Sequence, residues 1–435
     1  MKVHLSTLGC RLNQSEIDSL ARQFAAQGHE IADRAEAADL FVVNTCAVTR
    51  EATRSSRQLI YRLHRASPDA RIAVTGCYAH LAPREVAALP GVAHVVDNPA
   101  KDSLVSLLTG APLAQIETYD REPIAREALV GAVSHTRAFV KVQDGCDRHC
   151  SFCVTRLARG QGRSRPVAEV IREIRQLHAA GYREMVLTGV HLGSYGDDLG
   201  LIDGLYQLVR AILEQTQIPR LRLSSLEPWG LSPELIALWD DPRLCRHLHL
   251  PLQSGCDATL KRMIRRTSQA EFRTLVDTIR KRVPDMAIAT DVIVGFPGET
   301  DEEYAISRAF IQEMDFAALH VFRYSKRPGT AAVRLPDHVA EETKKARSEE
   351  LQAISQAGKL RYAKRFVGQT LPVLWEAVSG STEAGFVNSG YTSNYLRVRA
   401  VVPEVLTNQI TDTQLVGCDD QAVMQGVLSG RNGVS

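Results

Sequence analysis

The 435-residue chain is short of several things, and each shortage removes a class of protein. It has no run approaching the roughly 18 apolar residues needed to cross a bilayer. Its opening, ending in Leu8-Gly9-Cys10, holds no long apolar core and no small-residue cleavage site, so a secretory leader is not expected and a reducing, cytoplasmic location is. Net charge is almost absent. With 52 basic residues against 50 acidic ones, any nucleic-acid footprint has to be a local patch. Tandem repeats and low-complexity tracts are also missing. Nine cysteines are too few for a disulfide scaffold and cannot all pair, which leaves metal ligation, catalysis or buried thiols. What is present is an ordinary 44% of hydrophobic residues, enough to bury several cores, in a length that suits two to four domains.

The pattern along the chain alternates strand and helix. Residues 3–8, 40–43, 72–75 and 92–96 read as strands, with helices at 15–27 and 49–65 between them, which predicts a mainly parallel sheet. Residues 111–135 lose the periodicity and read as a linker or traversing segment. Strands are then expected at 138–143, 184–188, 220–225, 247–253, 287–294 and 318–324, separated by helices, one of them opened by Pro166 and another at 201–215. Ser268 with Glu271, and Thr300 with Glu303, form capping-box patterns. Six such units fit a partial or complete β/α barrel, with an open doubly wound sheet as the competing topology. A charge-rich helix at 340–365 follows. Short apolar alternations at 370–378, 395–402, 414–416 and 423–428 then predict a small five-stranded barrel of the OB type.

Cys146, Cys150 and Cys153 form C-x3-C-x2-C directly after the first barrel strand, at the strand end where such barrels place their active sites. Three thiolates can hold three irons of a four-iron cluster and leave one iron open. Zinc is the alternative, with His149 as a fourth ligand, although structural zinc sites want four ligands at paired spacing. Cys10, Cys46 and Cys77 each follow a predicted strand of the first region. In a parallel sheet those ends share one edge, so the three can converge on a second open cluster, or they are simply buried thiols. Cys245, Cys256 and Cys418 have no such placement and read as packing or exposed thiols.

The C-x3-C-x2-C run resembles the signature of radical S-adenosylmethionine enzymes, and with the three dispersed cysteines and the β module the whole chain resembles their methylthiotransferase family. The resemblance implies an α/β fold in three parts: an N-terminal parallel-sheet cluster domain at 1–115, then, past a linker at 116–135, a (β/α)6 radical core at 136–365 and a TRAM barrel at 366–431. Thr7-Leu8-Gly9-Cys10-Arg11-Leu12-Asn13-Gln14, Val142-Gln143-Asp144-Gly145-Cys146 and the 187–193 and 320–327 strings look like the branch acting on N6-threonylcarbamoyladenosine in tRNA, although Arg323 stands where proline is frequent. The implied reaction is methylthiolation at C2 of that base at position 37 of the anticodon loop. A radical made at the Cys146/Cys150/Cys153 cluster drives it, sulfur is carried on the Cys10/Cys46/Cys77 cluster, and a second S-adenosylmethionine supplies the methyl group. An aromatic C–H is neither acidic nor electrophilic, so acid–base catalysis alone would be a poor route. Isopentenyladenosine 37, a ribosomal-protein aspartate, and a non-enzymatic RNA-binding redox sensor are the alternatives. Two [4Fe–4S] clusters, S-adenosylmethionine, tRNA and an electron donor such as flavodoxin or ferredoxin are the implied cofactors and partners, with a monomer and no membrane expected.

In the same superfamily the end of the second barrel strand contacts S-adenosylmethionine, which implies Gly189 and His191 here. Glu227, Gln253 and Asp291 are polar residues on or after later barrel strands, where burial is costly unless they are paired or face the site, and they are read as further cofactor contacts. Arg156, Arg159, Arg163 and Arg165 follow the radical loop, and Arg397 and Arg399 lie in the β module; these six are the expected RNA contacts. Further basic groups occur at Arg50, Arg54, Arg57 and Arg62, at Lys261, Arg262, Arg265 and Arg266, and at Arg361, Lys364 and Arg365. Tyr391 and Tyr395 are expected to stack bases or to pack in the barrel.

Overall fold

The computed structural model describes residues 1–112 and 136–429, so the linker expected at 116–135 lies outside the described residues. Strands β1 (Lys2–Thr7), β2 (Glu30–Ile31), β3 (Leu40–Thr45), β4 (Arg71–Gly76) and β5 (Val92–Val95) form one parallel sheet in the order β2-β1-β3-β4-β5. Helices α1 (Arg11–Ala26), α2 (Arg50–Ala66), α3 (Cys77–Leu81), α4 (Pro83–Ala87) and α5 (Leu104–Thr109) connect and follow these strands. Every residue of β3 is buried, which explains its continuous apolar run Leu40–Val43 in the middle of a covered sheet. Thr49 caps α2, its Oγ1 accepting the Ala52 N–H at 3.1 Å. The first helix begins four residues earlier than the sequence reading, at Arg11 directly behind Cys10.

The central region contains β6 (Arg137–Lys141), β7 (Gln143–Asp144), α6 (Thr155–Arg159), β8 (Arg163–Ser164), α7 (Val167–Ala179), β9 (Glu184–Thr188), α8 (Gly204–Gln215), β10 (Arg220–Leu223), α9 (Pro233–Ala237), β11 (His247–His249), α10 (Asp257–Arg262), α11 (Gln269–Arg282), β12 (Ala287–Val294), α12 (Asp301–Glu313) and β13 (Ala318–Arg323). Two three-stranded parallel sheets, β6-β9-β10 and β11-β12-β13, are joined by single bridges at Leu221–Leu244 and Ser225–His249. Six parallel strands in sequence order are the predicted partial barrel. One continuous core runs under both sheets, from Ala138 to Leu351.

Three sequence expectations change. The first barrel strand does not reach Gln143, because the chain turns after Lys141 and β7 pairs antiparallel with β8. The fourth ladder is interrupted after His249, since Pro251 has no N–H to donate and Gln253 adopts φ +73°, and it resumes at Gln253 as a single parallel bridge to Val292. The capping box at Ser268 and Glu271 forms, whereas at Thr300 the hydroxyl caps alone and Glu303 turns away to Arg262 and Thr259.

Helix α13 (Glu341–Lys364) leads to β14 (Thr370–Thr382), β15 (Gly385–Thr392), β16 (Arg397–Val402), β17 (Ile410–Cys418) and β18 (Met424–Leu428), a closed five-stranded barrel in the order β14-β15-β16-β18-β17. β15 escaped the sequence reading because its Asn388-Ser389-Gly390 centre looks like a loop. The end of α13 contributes Tyr362, Ala363 and Phe366 to the barrel's core, so that core is continuous with the helix that precedes it.

Candidate active site

Parallel strands bring their carboxyl ends to one edge. Registers Thr7–Asn44 and Thr45–Gly76 therefore set the turns carrying Cys10, Cys46 and Cys77 side by side. Gly9 has φ +113°, and a Cβ there would lie 2.8 Å from Cys46 Cβ and 3.0 Å from its sulfur, so only glycine lets these two turns close. The other three cysteines share one loop, held shut by the β7–β8 pair and by the Cys146 N–H donating to Gly160 O at 3.0 Å. Gly145, at φ +74°, passes so near Gln161 that a Cβ would lie 1.8 Å from its carbonyl oxygen. Each trio has one exposed member, Cys10 or Cys153. Cys46 and Cys77 are buried, and Cys146 and Cys150 are half-buried.

Within each trio the thiols act on one another electrostatically: Cys46 with Cys10 and Cys77, and Cys146 with Cys150 and Cys153. Burial pushes the Cys46 and Cys146 thiols up to about 11. A bare thiol of that kind stays protonated at neutral pH and is a poor nucleophile, so these cysteines suit iron, which displaces the proton, rather than covalent catalysis. Among the described residues no three His, Cys, Asp or Glu side chains converge on one point as ligands of a single ion would. A four-iron cluster needs a wider set, with each thiolate on its own iron. Backbone N–H groups of Arg148 and Thr155 donate to Cys146 and Cys153 sulfurs at 3.4 Å, and Arg265 Nη1 lies 3.8 Å from Cys150 sulfur. Such donors stabilise anionic sulfur.

Around the radical loop, Gln143 is fully buried. Its amide donates to Gly145 O at 2.8 Å, and its carbonyl oxygen accepts the His191 N–H at 2.9 Å. It thereby ties the loop to the turn after β9. His191 is buried against Trp229, its Nε2 has no hydrogen-bond partner, and burial keeps its ring neutral. Glu227 accepts from Arg265 at 2.6 Å, Gln253 joins Asp291 through backbone hydrogen bonds, and Asp291 accepts from His249 at 2.9 Å. Gly189 packs against Gln143. All five expected cofactor residues thus lie on strand ends or strands of the barrel, with an orphaned buried imidazole nitrogen among them.

Arg159, expected on the RNA surface, is buried instead and is the link between the two cysteine sites. Its guanidinium donates to Glu16 and Asp144 at 2.9 Å and to Asn13 at 2.8 Å. Asn13 Oδ1 also accepts the Cys10 thiol at 3.6 Å, and Asp144 accepts the Gly145 N–H at 2.8 Å. One arginine from the helix after the radical loop therefore reaches both cysteine turns, and its charge acts on Cys10, Cys46 and Cys77. Burial would raise the Glu16 carboxyl, but Arg159, Lys101 and Lys141 outweigh it and hold it far below the carboxylate range. Lys101 completes the network, donating to Glu16 at 2.7 Å and to Asn44 at 3.3 Å. None of Asn13, Glu16, Asn44 or Lys101 was singled out from the sequence. The signal was available for Asn13 and Glu16, which with Ser15 and Arg22 are the polar residues on the buried face that carries Leu12, Ile17, Leu20, Ala21 and Phe24.

The other basic residues divide. Arg165 pairs with Glu173 at 2.5 Å, and Arg265 is spent on Glu227. Arg156 lies against His149, while Arg163, Arg397 and Arg399 are exposed. Arg50, Arg54 and Arg57 line a cavity of about 590 Å³ beside α2, faced by Arg327. Tyr395 points inward, stacked on His247 with centroids 4.6 Å apart, and Tyr391 packs beside it.

Residues 2–97 match a family described as uncharacterized protein family UPF0004, and residues 140–311 match the radical SAM superfamily. The chain is 38% identical to the threonylcarbamoyladenosine tRNA methylthiotransferase MtaB of Bacillus subtilis, over 91% of this chain and 89% of that one. It is 34% identical to the ribosomal protein uS12 methylthiotransferase RimO of Roseiflexus castenholzii, over 88% and 86%. Among solved structures it resembles the radical S-adenosylmethionine methyltransferase TsrM of Kitasatospora setae, with a TM-score of 0.56 and 16% identity over 76% of each chain; that likeness concerns the fold. Among the described residues no helix is long and apolar enough to cross a membrane.

Proposed function

The chain belongs to the radical S-adenosylmethionine methylthiotransferases, and from that membership we propose that it places a methylthio group on C2 of N6-threonylcarbamoyladenosine 37 of tRNA. The observation that carries the proposal is the pairing of two three-cysteine sites across Arg159, each offering three of the four ligands that a four-iron cluster takes. Cys146, Cys150 and Cys153 would hold the radical cluster, and Cys10, Cys46 and Cys77 the auxiliary one. When bound, these clusters supply one-electron cleavage of S-adenosylmethionine and the sulfur to be inserted, with a second S-adenosylmethionine giving the methyl group.

The chain's own residues bind and orient. Gln143 holds the radical loop against the turn of Gly189 and His191, which would contact S-adenosylmethionine together with Glu227, Gln253 and Asp291. Arg159 keeps the two cysteine turns at a fixed separation, so the base lies between them. Arg156, Arg163, Arg397 and Arg399, with the arginines of α2, offer the RNA backbone a discontinuous basic surface. The target base has to leave its stack in the loop to reach this depth. A flavodoxin or ferredoxin would provide the electron, and the cytoplasm, where tRNA is found, the setting.

Nucleoside mass spectrometry of tRNA from a strain lacking this gene tests the reading. The methylthio form of threonylcarbamoyladenosine should vanish while its unmethylthiolated precursor accumulates. Loss of methylthio-isopentenyladenosine instead, or an unchanged nucleoside profile, would overturn the assignment.

A further inference from the structure

A second cavity, of about 380 Å³, opens between the inner face of β11–β13, the start of α1 and the turn joining β15 to β16. Alanines at 287, 289 and 318 leave the space, and Tyr391 and Tyr395 wall one side. Its ionisable lining comprises Arg11, His247, His249, His320, Lys359 and Arg397, and among the described residues no carboxylate lines it. Of these, His249 is already engaged at both ring nitrogens, by Asp291 at 2.9 Å and by the Ser225 hydroxyl at 2.6 Å, while Glu184 pairs with Arg222 at 2.7 Å. Among the described residues Arg11 makes one hydrogen bond, of 3.3 Å to the Tyr395 hydroxyl, with its guanidinium 5.9 Å from that ring. His247 is buried, and its Nδ1 has no partner. Arg11, Lys359 and Arg397, with the buried imidazole of His247, around a space that no described carboxylate lines favour an anion.

The position of the cavity narrows which anion. Arg11 directly follows Cys10, so its side chain reaches the cavity from the turn that carries the auxiliary cysteine. In adenosine, C2 and N6 flank N1 on one edge of the base, whereas the phosphates attach through the ribose on the opposite side. A base presenting C2 to the auxiliary site therefore directs its N6 substituent into nearby space and its phosphates away from it. We propose that this cavity receives the threonylcarbamoyl side chain of the substrate base, with its carboxylate held by Arg11 and by Nδ1 of His247. This proposal rests on the substrate reading above and adds the site that distinguishes an acidic N6 substituent from an apolar one.

The test uses the cluster-loaded protein and anticodon stem–loop RNAs bearing threonylcarbamoyladenosine, its carboxylate methyl ester, or isopentenyladenosine at position 37. Wild type should bind the acid about tenfold to a hundredfold more tightly than the ester, since one charge-assisted hydrogen bond is at stake. Arg11→Gln should bind acid and ester alike, and Arg11→Lys should keep part of the preference. Iron content checks that these variants are loaded, and the acid-against-ester comparison on wild type needs no variant at all. Equal binding and equal kcat/KM for acid and ester in wild type would overturn the proposal and leave the substrate reading intact. The same holds if Arg11→Gln weakens both RNAs equally, which is the result expected of a backbone phosphate contact. Methylthiolation of the isopentenyl RNA with none of the acid RNA would overturn the substrate reading itself, and this proposal with it.

Discussion

Cys146, Cys150 and Cys153 come from one loop, whereas Cys10, Cys46 and Cys77 come from three separate strand ends and meet only when the sheet is in register. The local trio depends on short-range devices: the β7–β8 clamp, Gly145 and the Gln143 amide. The dispersed trio depends on parallel pairing, on Gly9 and on an arginine borrowed from the other site. The lesson is that the dispersed site is finished by the neighbouring domain, so the two are separable in their ligands but not in their architecture.

The largest effect should come from splitting the ligands. Cys150→Ala should abolish cleavage of S-adenosylmethionine and lower iron from about eight to about four atoms per chain. Cys46→Ala should lose the same iron and all methylthiolation while still cleaving S-adenosylmethionine. Cleavage by the first variant, or methylthiolation by the second, would erase the distinction between the trios.

A middle-sized effect should come from the shared arginine. Arg159→Met leaves buried Glu16 with only Lys101 and Lys141 and half-buried Asp144 without its guanidinium, so the loss should fall below the roughly 3–5 kcal/mol of a buried charge left wholly unpaired. Thermal unfolding should shift accordingly, and both cysteine turns should become more accessible to a thiol reagent. A variant as stable as wild type, with unchanged thiol reactivity, would mean that the sites are held independently.

The smallest effect is pH-dependent, and it tests whether the other end of the barrel uses the same device. Burial would raise the Glu184 carboxyl, but Arg222, Arg137 and Arg220 outweigh it and hold it at about 2. A depressed acid stabilises the fold above its unfolded value, near 4.5, and loses that contribution as pH falls toward 2. Urea midpoints of wild type and Glu184→Gln should therefore differ most at neutral pH and converge as pH drops below about 4.5. A constant gap would show that the Glu184 charge is not what the arginines hold.

Much of this was legible in the sequence, and the failures have causes. The β12 strand was read to its observed bounds, 287–294, because β-branched and apolar residues fill it apart from Asp291. The fourth strand was drawn as continuous to Gln253, although Pro251 interrupts the ladder and only a single bridge re-forms at Gln253. Arg159 was misplaced because charge can be read locally and facing cannot. Its partner Glu16 lies 143 positions away, and nothing near Arg159 announces it.

By itself the sequence determined where each cysteine stands relative to its strand, since hydrophobic periodicity and glycine punctuation are local properties. It also set six of the nine cysteines in two groups of three, apart from the remainder. Only the tertiary structure decided which arginines face solvent and which are buried across a domain boundary, and that a cation-lined cavity adjoins the first cysteine. Those outcomes depend on long-range packing, in which a buried charge has to find its counter-charge wherever the fold supplies one, or be left facing a space that an anion can fill.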